Sequence, residues 1–423
     1  ILLGLILLGA FSFWMCIHFG KEILSFMRQK WRLLILSECI FAVAFLFLSV
    51  IRMANPDLWH PSYGGEKPMD LAYLNGVVRS TIMPPIDPWF AGGAINYYYF
   101  GHFIVACLIK LTSLAPTTAF NLALPLFYAM TVGAAFSLGF NLTCGTREVL
   151  QARNAFRIPR WGSIGAGLAA VLFIGILANL DGAIQLLTNT WTKLAGVGIA
   201  TPFDYWRASR MMPPDPPGYE ITEFPFFTFL FGDLHAHLMA IPLTLLVIGL
   251  GIHTTILGAK KTSFIPRVSS ACLLGFSVGA VWVTNSWDFP IYLLLSATLA
   301  VMGEYYLHRR VNLHFLRGAL VMTLLIVGSA LIFWLPFHSS LDTTSYDLRL
   351  TMAQTTLPQF LKIYSPFMFI SISFLFAAFR IRGTQGARKV LRNLSRPTVL
   401  VPIVLLSSMI LTLTIQRSPL SGI

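Results

Sequence analysis

In the stretch FGDLHAHL, Asp233, His235 and His237 stand at i, i+2 and i+4. On a helix that spacing brings Asp233 and His237 to one face, and on a strand all three share a face. Carboxylate oxygen and imidazole nitrogen together suit a divalent ion such as Mn2+ or Mg2+, so these three are the candidate metal ligands. The bland alternative is a hydrogen-bonded polar cluster that closes the top of a membrane span. Ionisable groups at membrane depth are costly, which favours a functional reading. Upstream, Arg207 and Arg210 of YWRASR could hold a phosphate through bidentate hydrogen bonds. They could equally cap the acids of their own loop, Asp204, Glu220 and Glu223.

A second set of chemical groups lies nearer the start of the chain, in GGEKPMD and PPIDPWFAGGAINYYYFGH. Asp70 is the first candidate for a general base, with Glu66 and Asp87 as alternates. Pro68 suits the first turn of a helix running through Asp70 to Arg79, with Gly64 and Gly65 as the turn before it. Glu66 would then sit where the helix dipole favours a negative group, which is also the place of an ordinary cap. Carboxylates beside Trp89, Tyr97, Tyr98, Tyr99 and His102 suit a site that binds a polar sugar or phosphate by hydrogen bonds and stacking. Taken singly, Trp and Tyr are also common anchors at a membrane interface.

The elements that must position these groups are transmembrane helices. A chain of 423 residues that is 56% hydrophobic and 11% charged cannot hide its apolar surface in one aqueous core. Its mean hydropathy is +0.71. Runs long enough to cross about 30 Å of hydrocarbon recur. Ten spans are expected, near 1–18, 33–51, 119–141, 163–180, 236–257, 269–285, 289–306, 318–337, 365–380 and 397–415. The fold class is all-α and polytopic. Residues 1–32 form an N-terminal span and basic linker, 33–364 a membrane core, and 365–423 the C-terminal spans. The chain opens and closes beside apolar runs without an initiating Met, as a fragment of something longer would.

Charge orients the spans. The net charge of +13 is not a nucleic-acid footprint, because 20 of the 30 Lys and Arg residues fall in the short linkers 21–32, 147–160, 260–267, 309–317 and 380–396. The positive-inside rule makes those linkers cytoplasmic. Of the 17 acidic residues, 13 fall on the other side, which the rule does not require and which hints at a site there. Counting 98–114 as a span would reverse every later linker, so it reads as an interfacial or re-entrant helix. Three long loops then face outward, 52–118, 181–235 and 338–364. Glu38 and Glu304 lie within spans and must face protein or water. The five cysteines form no CxxC pair or zinc spacing.

GGEKPMD, PPIDPWFAGGAINYYYFGH, YWRASR and ITEFPFFTFLFGDLHAHL resemble the signatures of the YYY membrane-protein family, named for the triplet at Tyr97, Tyr98 and Tyr99. The resemblance runs from about Glu38 to the third outer loop. It implies a relation to the GT-C superfamily of integral membrane glycosyltransferases, which take a sugar from a polyprenyl-phosphate donor on the outer face. Asp70 or Asp87 would match the first acidic site of the oligosaccharyltransferase branch, and Asp181 or Asp233 the second. A WWD-type acceptor motif and a large soluble C-terminal domain are missing, so protein N-glycosylation is not implied. The expected partners are membrane lipid, a polyprenyl-phosphate sugar and an unknown acceptor, in the plasma membrane of a prokaryote. A transporter or flippase for a lipid-linked or polar solute is the alternative, although the sequence lacks a convincing internal repeat. A non-catalytic scaffold is a third reading.

Overall fold

The computed structural model describes residues 1–60, 65–152, 160–198, 201–210, 221–341, 349–350, 355–394 and 415–416. The expected tenth span (397–415), Gly64 and Glu220 lie outside the described residues or at their edge. Thirteen helices follow one another among the described residues: α1 (Leu2–Ala54), α2 (Lys67–Arg79), α3 (Phe100–Thr112), α4 (Pro116–Ala152), α5 (Arg160–Gly175), α6 (Asp181–Ala195), α7 (Pro225–Phe231), α8 (Ala236–Ala259), α9 (Phe264–Thr284), α10 (Phe289–His308), α11 (Leu313–Ile332), α12 (Leu335–His338) and α13 (Leu357–Leu394). Strand pairing among those residues is confined to one antiparallel pair of dipeptides, Arg349–Leu350 with Ile415–Gln416, and a bridge between Ile86 and Ala94. The protein is therefore a polytopic helical membrane protein.

Seven of these helices are long and apolar enough to cross a membrane, and α5 is a shorter apolar helix. The sequence differs from the structure most at the first two expected spans. In place of 1–18 and 33–51 joined by a linker, α1 is one continuous helix of 53 residues. Residues 21–32 contain neither Gly nor Pro, so nothing there stops a helix. Such a helix reaches about 80 Å, and it buries only Ala44, Leu48 and Arg52, near its C-terminal end. The apolar α3 has 13 residues, about 20 Å, which falls short of the hydrocarbon thickness and agrees with an interfacial placement.

Two cores organise the bundle. One gathers the end of α1 with α2, α3, α4, α7 and the start of α8 around Leu48, Leu74, Phe120, Leu124, Phe229, Leu234 and Met239. The other joins α8 to α11 through Val247, Leu274, Val278, Ala300, Met322 and Ile326. The helices α8 to α11 alternate in direction, so the 232–235, 285–288 and 333–334 connections meet at one end. At the other end Glu304 pairs with Arg267 and lies 3.7 Å from His308. On α6, Asp181 and Gln185 face the protein, while Ile184, Leu187, Trp191 and Leu194 form an exposed apolar stripe at helical spacing, the pattern of a helix lying along a lipid surface.

Small residues let these helices touch. A Cβ on Gly258 of α8 would collide with the backbone carbonyl of Gly303 on α10. Gly258→Leu is therefore expected to force the two helices apart at a cost of about 1–3 kcal/mol, seen as a lower melting temperature in detergent. Gly9→Leu, at a glycine with nothing within 4 Å, should leave that temperature unchanged.

Candidate functional site: a carboxylate–imidazole cleft

The site forms where three segments meet: the N-terminal turn of α2, the one-turn 3₁₀ helix Arg207–Ser209, and the bend between α7 and α8. Pro68 does occupy the first turn of α2, and Glu66 is its N-cap, yet the Glu66 side chain makes no capping bond. It reaches across to the second loop instead, where its Oε2 lies 2.6 Å from His235 Nε2. The Glu66 backbone N–H donates to Asp233 Oδ2 at 2.9 Å, and the Lys67 ammonium donates to Asp233 Oδ1 at 3.0 Å. Lys67 also lies 4.1 Å from the ring centre of Phe231, a cation–π distance. This approach depends on Gly65, whose φ is +62° and where a Cβ would stand 2.5 Å from Asp233 Oδ2 and against the Phe231 ring.

From His235 a string of polar contacts continues along the cleft. His235 Nδ1 is 2.7 Å from His237 Nδ1, and His237 Nε2 is 3.5 Å from Glu223 Oε2. Glu223 also takes a hydrogen bond from Thr228 Oγ1 at 3.3 Å and faces Arg210 Nη1 at 3.5 Å. The Tyr97 hydroxyl is 3.1 Å from His235 Nε2. Together Glu66, Arg210, Glu223, Asp233, His235 and His237 line a cleft of about 430 Å3, with Trp206 and Phe231 in its wall.

The electrostatics divide the carboxylates. The hydrogen bond from His235 holds Glu66 below the usual carboxylate range. Burial would raise Glu223, but His237 and Arg210 keep it low. Burial pushes Asp233 up in spite of Lys67. For His235, burial disfavours the charged ring, but the Glu66 hydrogen bond and the surrounding carboxylates outweigh it and its pKa is raised. With both ring nitrogens protonated, His235 donates Nε2–H to Glu66 and Nδ1–H to His237, whose Nε2–H then faces Glu223. Glu66 is thereby kept ionised, with its exposed side free to accept a proton.

Beneath the cleft lies a different pair. Asp70 and His102 are both fully buried, with Asp70 Oδ1 3.8 Å from His102 Nε2 and no hydrogen-bond partner for either side chain among the described residues. Burial raises the Asp70 carboxyl to about 8 and lowers the His102 imidazole to about 3, so both are neutral near pH 7.

A family described as "Uncharacterized membrane protein (DUF2298)" matches residues 1–421. The chain belongs to that family. Searches of curated proteins and of solved structures each found no match.

Within this DUF2298 protein the expected residues sort by position. Glu66, Arg210, Asp233, His235 and His237 come together, with Tyr97 at their edge. Asp70, the first-choice base, does not line the cleft; its carboxyl is protonated near neutrality and so cannot take the proton of a bound hydroxyl. Asp87 accepts from Trp89 N–H at 2.7 Å and closes its own turn, leaving Trp89 exposed outside the cleft. Tyr98 stacks on Tyr97, whereas Tyr99 is buried against Phe337. Arg210 caps Glu223, as the loop-acid reading anticipated, whereas Arg207 is tied at 2.9 Å to Asp181, an acid that reading did not name.

The expected Mn2+ or Mg2+ triad is not assembled. Asp233 gives its oxygens to Lys67 and the Glu66 amide, and the two imidazoles turn toward each other. Among the described residues no three His, Cys, Asp or Glu side chains converge as metal ligands. These residues therefore do not fit a divalent ion, because a cation at Asp233 would have to displace the Lys67 ammonium.

Sequence reasoning missed Lys67 and passed over Glu223 as a mere partner for arginine. The available signal was a lone Lys inside an acidic motif on the basic-poor side of the chain.

Asp70 makes stability depend on pH. Its folded pKa is raised above the unfolded 3.8 to about 8, so its contribution is present at low pH and lost as pH rises toward 8. His102 opposes this trend only while its unfolded ring, with a pKa of 6.5, still carries charge, so its effect fades as the pH rises from 6.5 to 8. The melting temperature in detergent is therefore expected to fall from pH 6.5 to 8, and Asp70→Asn should flatten that slope. An unchanged slope in the variant would show that Asp70 ionises freely. Gly65→Ala, a strained substitution against Asp233, should lower the melting temperature at every pH.

Proposed function

We propose that this protein is a membrane glycosyltransferase, transferring a sugar from a polyprenyl-phosphate-linked donor to an acceptor hydroxyl on the non-cytoplasmic face. The observation that carries the reading is the Glu66–His235–His237–Glu223 string in a polar cleft at one end of an apolar bundle. The resemblance to GT-C enzymes and the excess of acids on the expected outer side support it.

Glu66 is the base in this reading. Its carboxylate is the most accessible in the cleft, with a side chain 55% exposed, and His235 holds it in place. As the acceptor oxygen bonds to the anomeric carbon, its proton moves to Glu66, which His235 has held ionised. The bond from the anomeric carbon to the phosphate oxygen breaks, and the electron pair leaves with polyprenyl phosphate. Arg210, at the cleft wall, interacts with the negative charge that builds up. Tyr97 orients His235. The membrane supplies the lipid-borne donor.

The test is to incubate full-length protein in lipid with a panel of polyprenyl-phosphate sugars, with and without Mg2+ or Mn2+, and follow release of polyprenyl phosphate. Glu66→Gln is expected to slow release by about 10²–10⁴-fold, and His235→Gln by a similar factor. Asp87→Asn, which touches only its own turn, should leave the rate unchanged. Native-rate release by Glu66→Gln would remove Glu66 as the base. Failure of the native protein to consume any donor would favour transport of a lipid-linked or polar solute.

A further inference from the structure

A second cavity, of about 240 Å3, shares Trp206 and Phe231 with the carboxylate cleft and has Lys67 in its own wall. Its remaining wall holds Arg52, Asp57, Trp59 and His60, so its chemistry is more cationic than that of the carboxylate cleft. Arg52 is the unusual member. It sits at the C-terminal end of α1 with only 6% of its surface exposed. Its guanidinium donates to Asn121 Oδ1 from Nε at 3.0 Å and from Nη2 at 2.5 Å, and more weakly to the Asp57 carbonyl at 3.4 Å.

All of these acceptors are neutral. Among the described residues no carboxylate oxygen comes within 4.0 Å of Arg52. Asp57 offers its backbone carbonyl instead, and its side chain is exposed. The charges of Asp233 and Asp57 reach Arg52 only from farther off, a buried cation without a direct ion pair is expensive, and arginine's planar fork matches an oxyanion. Lys67 adds a second cation at the edge of the cavity while keeping its bond to Asp233. Arg207 and Arg210, the arginines that the sequence offers for a phosphate, are already engaged by Asp181 and Glu223.

We propose that this cavity is a phosphate-binding site in which Arg52 and Lys67 hold the oxygens of a phosphate ester or of free phosphate. The site is separate from the carboxylate cleft, and its existence does not depend on the transferase reading, because binding is measured without turnover. If both hold, the two cavities that meet at Trp206 and Phe231 divide the charged and the reacting ends of one substrate.

The experiment is isothermal titration calorimetry on the full-length protein in detergent. Inorganic phosphate, phytanyl phosphate and phytanol are the three probes. Both phosphate-bearing probes are expected to bind saturably, phytanyl phosphate more tightly if the source is a lipid headgroup and no more tightly if it is free phosphate. Arg52→Gln should weaken both at least about tenfold and leave phytanol unaffected. Arg52→Lys should restore part of the loss.

Because Arg52 is buried, a second variant guards against misfolding. Asn121→Asp places a carboxylate where Arg52 already donates, giving it an internal counter-ion. It should keep the native melting temperature or raise it, yet weaken phosphate binding by a comparable factor. Absence of saturable binding of both phosphate-bearing probes by the native protein would overturn the proposal. So would binding that survives both Arg52→Gln and Asn121→Asp.

Discussion

Asp233 receives two donors from one turn of chain, the Lys67 ammonium and the Glu66 backbone N–H, across 167 residues of sequence. Both members of the ion pair are nearly buried. Removing one partner from a buried pair typically costs about 3–5 kcal/mol, because the other charge is stranded. This junction fixes the start of α2 against the bend before α8. With that register set, Glu66 can meet His235 only on the cleft side, and Asp70, one turn further along α2, can point only inward. Gly65 admits the approach, and Phe231 closes one side of the ammonium.

The same register explains why two carboxylates four residues apart behave so differently. Glu66 keeps water on one side and an imidazole on the other, so its charge is stabilised at its place of use. Asp70 has no water and only the uncharged ring of His102 beside it, and the free energy of ionising it inside the protein exceeds what any nearby cation returns. Its neighbour His102 stays neutral for the same reason. A neutral acid and a neutral base side by side leave four buried polar atoms without a hydrogen-bond partner among the described residues. The pair underlies the cleft as a polar but uncharged floor.

Much of this was legible in the sequence, because the governing signals are local. Apolar run length gave most of the membrane helices, and Pro68 placed the start of α2. The HxH pattern and the acids of both loops pointed to the surfaces that meet. What could not be read was which acids meet which bases. Asp233, His235 and His237 look like a ligand set in one dimension, but Lys67 arrives from another loop and takes Asp233 out of it. Asp70 and Glu66 look interchangeable until burial separates them. Arg52 reads as the first residue of an outer loop, and only packing against Asn121 shows that its charge is enclosed. The continuous α1 is a further case: helix propensity runs across a basic linker that the charge pattern alone would have treated as a turn.

Charge placement along the helices sharpens the contrast between the two ends of the bundle. At the end away from the cleft, Glu304 is matched by Arg267 and approached by His308, so the acid is closed off by bases of its own. At the cleft end the acids outnumber the fixed cations that touch them, and histidines fill the gap. Arginine holds a proton at any physiological pH, but histidine exchanges one. An ion pair made with arginine is therefore static, while one made with His235 can be made and unmade by gain and loss of a proton. The cleft is the part of this protein where histidine rather than arginine faces the exposed carboxylate, and that choice of base, more than the number of acids, separates a site able to move protons from one that only holds helices together.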